Sequence, residues 1–108
     1  MELTGKQRAY FRGLAHHLNP VVHLGPQGLS EAVVDKVNDE LEHHELIKVK
    51  VGGNCLESAD EAGEQLAESC RAALVQVIGH VIVLYRRRKK DPEIKLPRAS
   101  KTQVSAGI

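Results

Sequence analysis

Three segments with apolar residues at helical spacing alternate with short β-branched runs, and this alternation most restricts the fold. The chain has 108 residues, the length of one ordinary domain with a single core. Helices that alternate with strands in so short a chain imply a two-layer α/β sandwich on a small mixed four-stranded sheet. We expect the order α-β-α-β-α-β, with one further strand possible at the end.

Capping residues predict where each helix begins. Thr4 and Gln7 form a capping box before the first apolar stripe, and Ser58 and Glu61 form a second box before the third. Ser30 is a good N-cap for the middle helix. Each helix should therefore begin directly after one of these hydroxyl side chains.

The strands are predicted over residues 21–24, 46–51 and 81–85, with a short edge strand at 93–96. Apolar residues at helical spacing continue from residue 62 to Val77. Gly79 is the residue type that ends a helix in the left-handed conformation, so one helix is predicted over 58–79. We expect a single domain over 1–97 and a disordered tail over 98–108.

The net charge of +1 conceals a strong separation of charge along the chain. Residues 31–68 hold eleven acidic and three basic side chains, whereas residues 86–101 hold eight basic and two acidic ones. Residues 1–12 add three basic side chains against one acidic. Because a partner senses potential over roughly 8–10 Å, such a molecule can still bind a polyanion.

Composition excludes several other classes of protein. Three aromatic residues are too few for recognition by rows of stacked bases. The chain shows no apolar run near twenty residues and no secretory signal, and two cysteines cannot form a disulfide scaffold, so we expect a cytoplasmic protein without a membrane segment. The paired histidines diverge on a helix and predict no metal site. The sequence contains no nucleophile motif that would predict an enzyme.

A Gly-x-x-Gly turn joins the first predicted strand to the second helix. Gly25, Pro26, Gln27 and Gly28 form this turn, and glycines there let a ligand backbone come close to a helix N-terminus. In KH-type modules such a loop clamps a nucleic-acid backbone, although two glycines between a strand and a helix are commonly only a turn. A Gly28→Asp substitution is expected to repel phosphate and leave the fold intact.

Several stretches together resemble the bacterial stand-alone form of the CRM domain (chloroplast RNA splicing and ribosome maturation), the YhbY-like family. They are residues 3–10, 14–18, 24–28, 45–49 and 78–86, in the order that the family has. The resemblance implies a fold like the C-terminal domain of bacterial translation initiation factor 3 and KH-like modules. It also implies binding to RNA, chiefly rRNA in precursors of the large ribosomal subunit. We further expect a monomer that needs no cofactor, with ribosomal proteins as additional partners.

The resemblance and the charge pattern together predict an RNA-binding surface formed by the loop and the basic segments. The residues are Lys6, Arg8, Arg12, Gly25, Pro26, Gln27, Gly28, Arg86, Arg87, Arg88, Lys89 and Lys90. The surface would be continuous if the arginines of the first helix and the loop lie on the same side of the sheet as the 86–90 run. Pro26 stands where the family often has lysine. The loop therefore lacks that charge, and the flanking basic residues are expected to contribute more to RNA binding.

Two further functions compete with RNA binding. The first is a protein-interaction adaptor whose acidic middle, especially residues 31–45, docks a basic partner. The second, a small hydrolase, makes no use of the basic run, and we set it aside.

Overall fold

The computed structural model describes residues 3–89, Pro92 and Ile94, which form three helices and one sheet of four strands. The elements are α1 (Gly5–Ala15), β1 (Val22–Leu24), α2 (Glu31–His44), β2 (Leu46–Val51), α3 (Ala59–Ser69), β3 (Ala73–Ile78) and β4 (Val81–Tyr85). The strand order is β1-β2-β4-β3, with β1 parallel to β2, and β4 antiparallel to both neighbours. The predicted α/β fold on a small mixed sheet is confirmed. The predicted strand at 93–96, except Ile94, and the tail at 98–108 lie outside the described residues.

Each helix begins where its capping side chain predicts. Thr4, Ser30 and Ser58 each accept a hydrogen bond from the backbone N–H three residues later, at 3.1–3.2 Å. At Thr4 and Ser58 the side chain at that third position accepts a bond from the cap's own N–H, at 3.0 Å. Both capping boxes are therefore complete.

The predicted third helix over 58–79 is too long. The helix ends at Ser69, and residues 73–78 form β3, the fourth strand of the sheet. The sequence pattern misleads because a bulge between Leu74 and Gln76 breaks the two-residue alternation of a strand. Gly79 does have a positive φ of 58°, but it lies in the two-residue turn between β3 and β4, where hairpins favour glycine.

The sheet lies between α1 on one face and α2 with α3 on the other, which we call the α1 face and the α2/α3 face. The core of the α1 face includes Phe11, whose ring stacks on that of Tyr85 with centroids 4.1 Å apart. The larger core, on the α2/α3 face, is built from alternate strand residues and the inner sides of both helices. In the described part of the chain, no helix has the length and apolar character that a membrane span requires.

Candidate functional site

The loop between β1 and α2 forms a tight turn that exposes three residues. The Gly28 N–H donates to the Gly25 carbonyl at 3.0 Å, and the Ser30 N–H donates to the Gly28 carbonyl at 3.2 Å. Gly25, Pro26 and Gln27 are exposed, whereas Gly28 is buried. Because Pro26 has no N–H and the Gly28 N–H is already bonded, few backbone donors remain for a ligand.

Glu57 packs directly against this loop. A β-carbon placed on Gly28 would lie 2.2 Å from Glu57 Oε1, and the φ of Gly28 is +67°. Gly28→Asp would therefore strain the backbone and bring two carboxylates together, which contradicts the expectation that it leaves the fold intact. An added β-carbon on Gly25 meets no atom within 4 Å. Gly25→Asp is thus the cleaner way to introduce a negative charge.

The loop and the basic run after β4 lie at opposite ends of the sheet. Leu24, which precedes the loop, pairs with Val51 at the end of β2. Tyr85, which precedes the basic run, pairs with Leu46 at the beginning of β2. Six residues of β2 separate these ends by about 17 Å. We call them the loop end and the tail end.

Arg86 binds other parts of the fold with its guanidinium group. Nη1 donates to Asn38 Oδ1 at 2.7 Å and to the Cys70 carbonyl at 2.8 Å. Nη2 donates to the Asn38 carbonyl and to Glu42 Oε2, both at 3.1 Å. With 20% of its side chain exposed, Arg86 ties β4 to α2 and to the end of α3. Its donors are engaged there rather than directed toward solvent.

Glu45 holds the segment that follows Arg86, a role that the sequence pattern does not reveal. This residue is 1% exposed and has a φ of +64°. Its carboxylate accepts the backbone N–H groups of Arg88 and Ile94, each at 2.9 Å, and its carbonyl accepts the Arg86 N–H at 2.8 Å. Burial raises the pKa of Tyr85, and the negative charge of Glu45 adds to this rise.

The other predicted residues of the basic run differ in exposure. The guanidinium of Arg88 donates to the His43 carbonyl at 3.0 Å. Arg87 and Lys89 are exposed. Lys90 lies outside the described residues.

The three basic side chains of α1 also differ in their surroundings. Arg8 Nη1 donates to the carbonyls of Leu74 and Val75 at the bulge of β3, at 2.9 Å for Val75. Lys6 and Arg12 are exposed, and their six-residue spacing sets them about 120° apart around the helix. Arg8 therefore supports the sheet, whereas Lys6 and Arg12 extend toward solvent.

The geometry of α1 indicates which way Arg12 faces. Phe11 and Ala15 pack on the sheet, Arg12 lies on one flank of the helix, and Leu14 lies on the opposite flank. Leu14 borders an apolar groove with His44, at the tail end of the sheet. We infer that Arg12 faces the loop end.

Two lysines of β2 extend the basic surface at the loop end. Leu46 packs against α1, so strand alternation places Lys48 and Lys50 on the same face of the sheet. Lys50 is exposed and pairs with His23 of β1, the strand that leads into the loop. Neither lysine is among the residues predicted from the sequence to bind RNA. Their alternation with Ile47, Val49 and Val51 is the signal that could have included them.

The exposed basic side chains thus form two groups, one at each end of the sheet. We define the loop-end patch as Arg12, His23, residues 25–27, Lys48 and Lys50. We define the tail-end patch as Arg87 and Lys89, which line a groove with Asn38 and Glu42 of α2 and with Cys70. The condition for one continuous basic surface is not met, because this patch lies beside α2, at the opposite end of the sheet from the loop. Lys6 lies at the start of α1 and belongs to neither patch.

The helices on the two faces of the sheet differ in charge. Residues 3–30, which include α1, β1 and the loop, contain no acidic side chain. The acidic residues of α2 and α3 lie on helices that cover the other face. Glu57 is one exception, since it places a carboxylate against the loop. The separation of charge along the sequence is kept in space around the loop, but not at the tail end, where Arg86 forms an ion pair with Glu42 of α2.

Neither a metal site nor an activated nucleophile is evident in the described part of the chain. No group of three His, Cys, Asp or Glu side chains there could hold a metal ion. Burial raises the pKa of the Cys70 thiol, although the charge of Arg86 opposes this rise. A raised pKa disfavours the thiolate that a catalytic cysteine requires.

Comparison with known proteins gives concordant matches. A model of the CRS1/YhbY (CRM) domain family matches residues 3–86. An RNA-binding protein from Haemophilus influenzae is 48% identical, with 89% of this chain and 96% of that protein covered. YqeI of Bacillus subtilis, named as a probable RNA-binding protein, is 42% identical over 88% of this chain and 99% of its own length. The solution structure of the hypothetical protein SAV1595 from Staphylococcus aureus superposes with a TM-score of 0.76 at 46% identity, covering 89% of this chain and 100% of that one.

Proposed function

Because this chain belongs to the CRS1/YhbY (CRM) domain family, we propose that it binds RNA, mainly through the loop-end patch. The observation that carries the proposal is the grouping of Arg12, Lys48 and Lys50 around an exposed loop on a face whose helix has no acidic residue. Clusters of this kind neutralise phosphates and release bound counterions. The names of the H. influenzae and B. subtilis relatives support the same ligand.

The side chains favour contacts with the RNA backbone over contacts with base faces. Phe11 and Tyr85 stack on each other in the core and are 0% exposed. Tyr10 is 38% exposed, so it is the one ring among the tyrosines and phenylalanine that a base could reach. Recognition by shape and phosphate position follows, because stacking platforms require several exposed rings.

We further propose that the RNA is rRNA in precursors of the large ribosomal subunit, where the protein acts as a cytoplasmic, non-enzymatic assembly factor. The support is the family resemblance, together with a surface suited to a folded RNA. The loop would contact the backbone through Gly25 and Gln27, and Glu57 would limit how closely a phosphate approaches Gly28.

Gradient sedimentation of cell lysates tests the assembly role. At low salt the protein should migrate with particles of the large subunit or its precursors, and raising the salt should release it. Recovery at the top of the gradient at all salt concentrations would contradict the proposal. Crosslinking to RNA in cells and sequencing of the attached fragments would then identify the rRNA region.

Gly25→Asp tests the loop directly. The substitution adds a negative charge at an exposed position with open space around it, so RNA binding should weaken while the thermal midpoint changes little. Gly5→Asp is a matched control, because Gly5 is also exposed with open space around it and lies at the start of α1, on the β3 side of the sheet and away from the loop. Equal effects of both substitutions on affinity would refute a specific contribution of the loop.

A further inference from the structure

The outer edge of β3 borders a groove that the proposed RNA-binding surface does not use. β3 is the last strand in the order β1-β2-β4-β3, so within the described residues one of its edges has no neighbouring strand. The groove along this edge has a volume of about 930 Å³. Its floor is β3, one wall is α3, and Leu3 and Arg8 close the side toward α1.

The backbone of β3 can pair with another strand at Val77. In an antiparallel pair, residues that exchange hydrogen bonds with the partner alternate with residues whose N–H and C=O point away from it. Ile78 and Val81 close the two-residue turn and form a bonded pair. Val77 therefore directs its N–H and C=O toward the open edge. Such an edge is a template for an added strand.

Arg8 limits where a strand can be added. Its guanidinium donates to the Leu74 and Val75 carbonyls and so covers the half of the edge next to the bulge. The half around Val77 stays open. An added segment would thus pair over residues 76–78, and the covered half would disfavour edge-to-edge association of two copies of this chain.

The wall of the groove formed by α3 carries a row of carboxylates. Asp60, Glu64 and Glu68 all line the groove and all are exposed. They are spaced four residues apart, which is about 6 Å along the helix axis. None of the three takes part in an ion pair with another described residue.

We propose that this edge binds an extended segment of a partner protein that carries Lys or Arg at every second position. Alternate side chains of a strand lie about 6.7 Å apart on one face, close to the 6 Å spacing of the carboxylates on α3. Backbone pairing at Val77 supplies affinity, and the carboxylate row selects the basic segment, as in recognition by β-strand addition. This inference is independent of RNA binding, because the groove and the loop-end patch share no residue.

A fluorescein-labelled peptide of alternating lysine and valine, eight residues long, tests the proposal on the nucleic-acid-free protein. Binding measured by anisotropy should be about tenfold weaker for the triple variant Asp60→Asn, Glu64→Gln, Glu68→Gln, since each exposed charge pair contributes modestly. The matched control is Glu31→Gln, Asp35→Asn, Asp39→Asn. It removes three exposed carboxylates at the same spacing from α2, which packs on β1 and β2 rather than on β3.

Two further peptides separate strand addition from general charge attraction. A peptide with N-methyl groups on alternate amides keeps the lysines but cannot form the ladder, so it should bind at least fivefold more weakly. A peptide with glutamate in place of lysine should not bind. Equal weakening by the α3 and α2 variants, equal binding of the methylated peptide, or no binding of the lysine peptide would each overturn the proposal. Circular dichroism of both triple variants verifies that they are folded.

Discussion

Replacing Lys48 and Lys50 with glutamine tests the location of the RNA-binding surface. Both side chains lie on the α1 face of β2, and Lys50 pairs with His23 beside the loop. Neither forms an ion pair with a described residue. The double variant therefore removes two positive charges with little effect on the core, and the loss should appear in RNA affinity rather than in stability.

The expected magnitude follows from counterion release. Each phosphate contact contributes about 0.9 to the slope of log K against log salt for a duplex and about 0.7 for a single strand. Losing two contacts should reduce the slope by about 1.4–1.8. If these contacts contribute nothing at 1 M salt, the affinity at 0.1 M falls by about 25- to 60-fold.

Fluorescence anisotropy with a labelled RNA hairpin, from 50 to 300 mM KCl, measures both quantities. The control is Arg87→Gln, Lys89→Gln, which removes the same charge from the tail end, about 17 Å away along the sheet. We expect this control to change the slope by less than 1. An unchanged slope for Lys48→Gln, Lys50→Gln, or an equal or larger change for the control, would refute the assignment of the loop-end patch.

Three other predictions concern the loop glycines, Glu57 and Tyr85. Gly25→Ala should change the free energy of unfolding in urea by less than about 0.5 kcal/mol. Gly28→Ala should lower this free energy by about 1–2 kcal/mol, because Gly28 has a φ of +67°. Equal effects of the two substitutions would contradict the loop geometry. Glu57→Gln removes the carboxylate against the loop and should tighten RNA binding several-fold at 50 mM KCl, and unchanged affinity would show that no phosphate approaches Gly28. Burial raises the pKa of Tyr85 in the folded protein, so the unfolded chain loses the phenol proton first and stability falls as pH rises above about 10, by at most about 1.4 kcal/mol per pH unit. Tyr85→Phe should remove part of this fall in urea titrations at pH 9–11. The same fall in the wild type and in Tyr85→Phe would contradict the role of Tyr85 in this pH dependence.

Local signals in the sequence predict most of the fold. The three capping hydroxyls give the helix starts, and β-branched runs give β1, β2 and β4. β3 was missed because its bulge makes the apolar pattern resemble a helix. Residues 73–78 are stabilised as a strand by pairing with β4, and a local sequence pattern cannot reveal this pairing.

The candidate site depends on pairing between distant segments, and this limits its prediction. That Arg86 binds Asn38 and Cys70 follows only once β4 lies next to α2 and the end of α3. Similarly, Glu45 appears in the sequence as one of many acidic residues, but in the fold its carboxylate holds two backbone N–H groups. Residue type could predict a basic surface, but it could not distinguish structural cations from exposed ones.

Arg8 and Arg12 show why the difference between a structural and an exposed arginine determines which residues can bind RNA. They lie one turn apart on the same flank of α1, so sequence spacing makes them equivalent. The bulge in β3 turns two carbonyls toward Arg8, which is half-buried, and moving its guanidinium to a phosphate would leave these acceptors without that donor. Arg12 is exposed, and no hydrogen bond or ion pair of the described residues has to be broken for it to bind RNA. A phosphate would therefore be bound by Arg12 and the lysines of β2, while Arg8 keeps the edge of the sheet closed beside the groove.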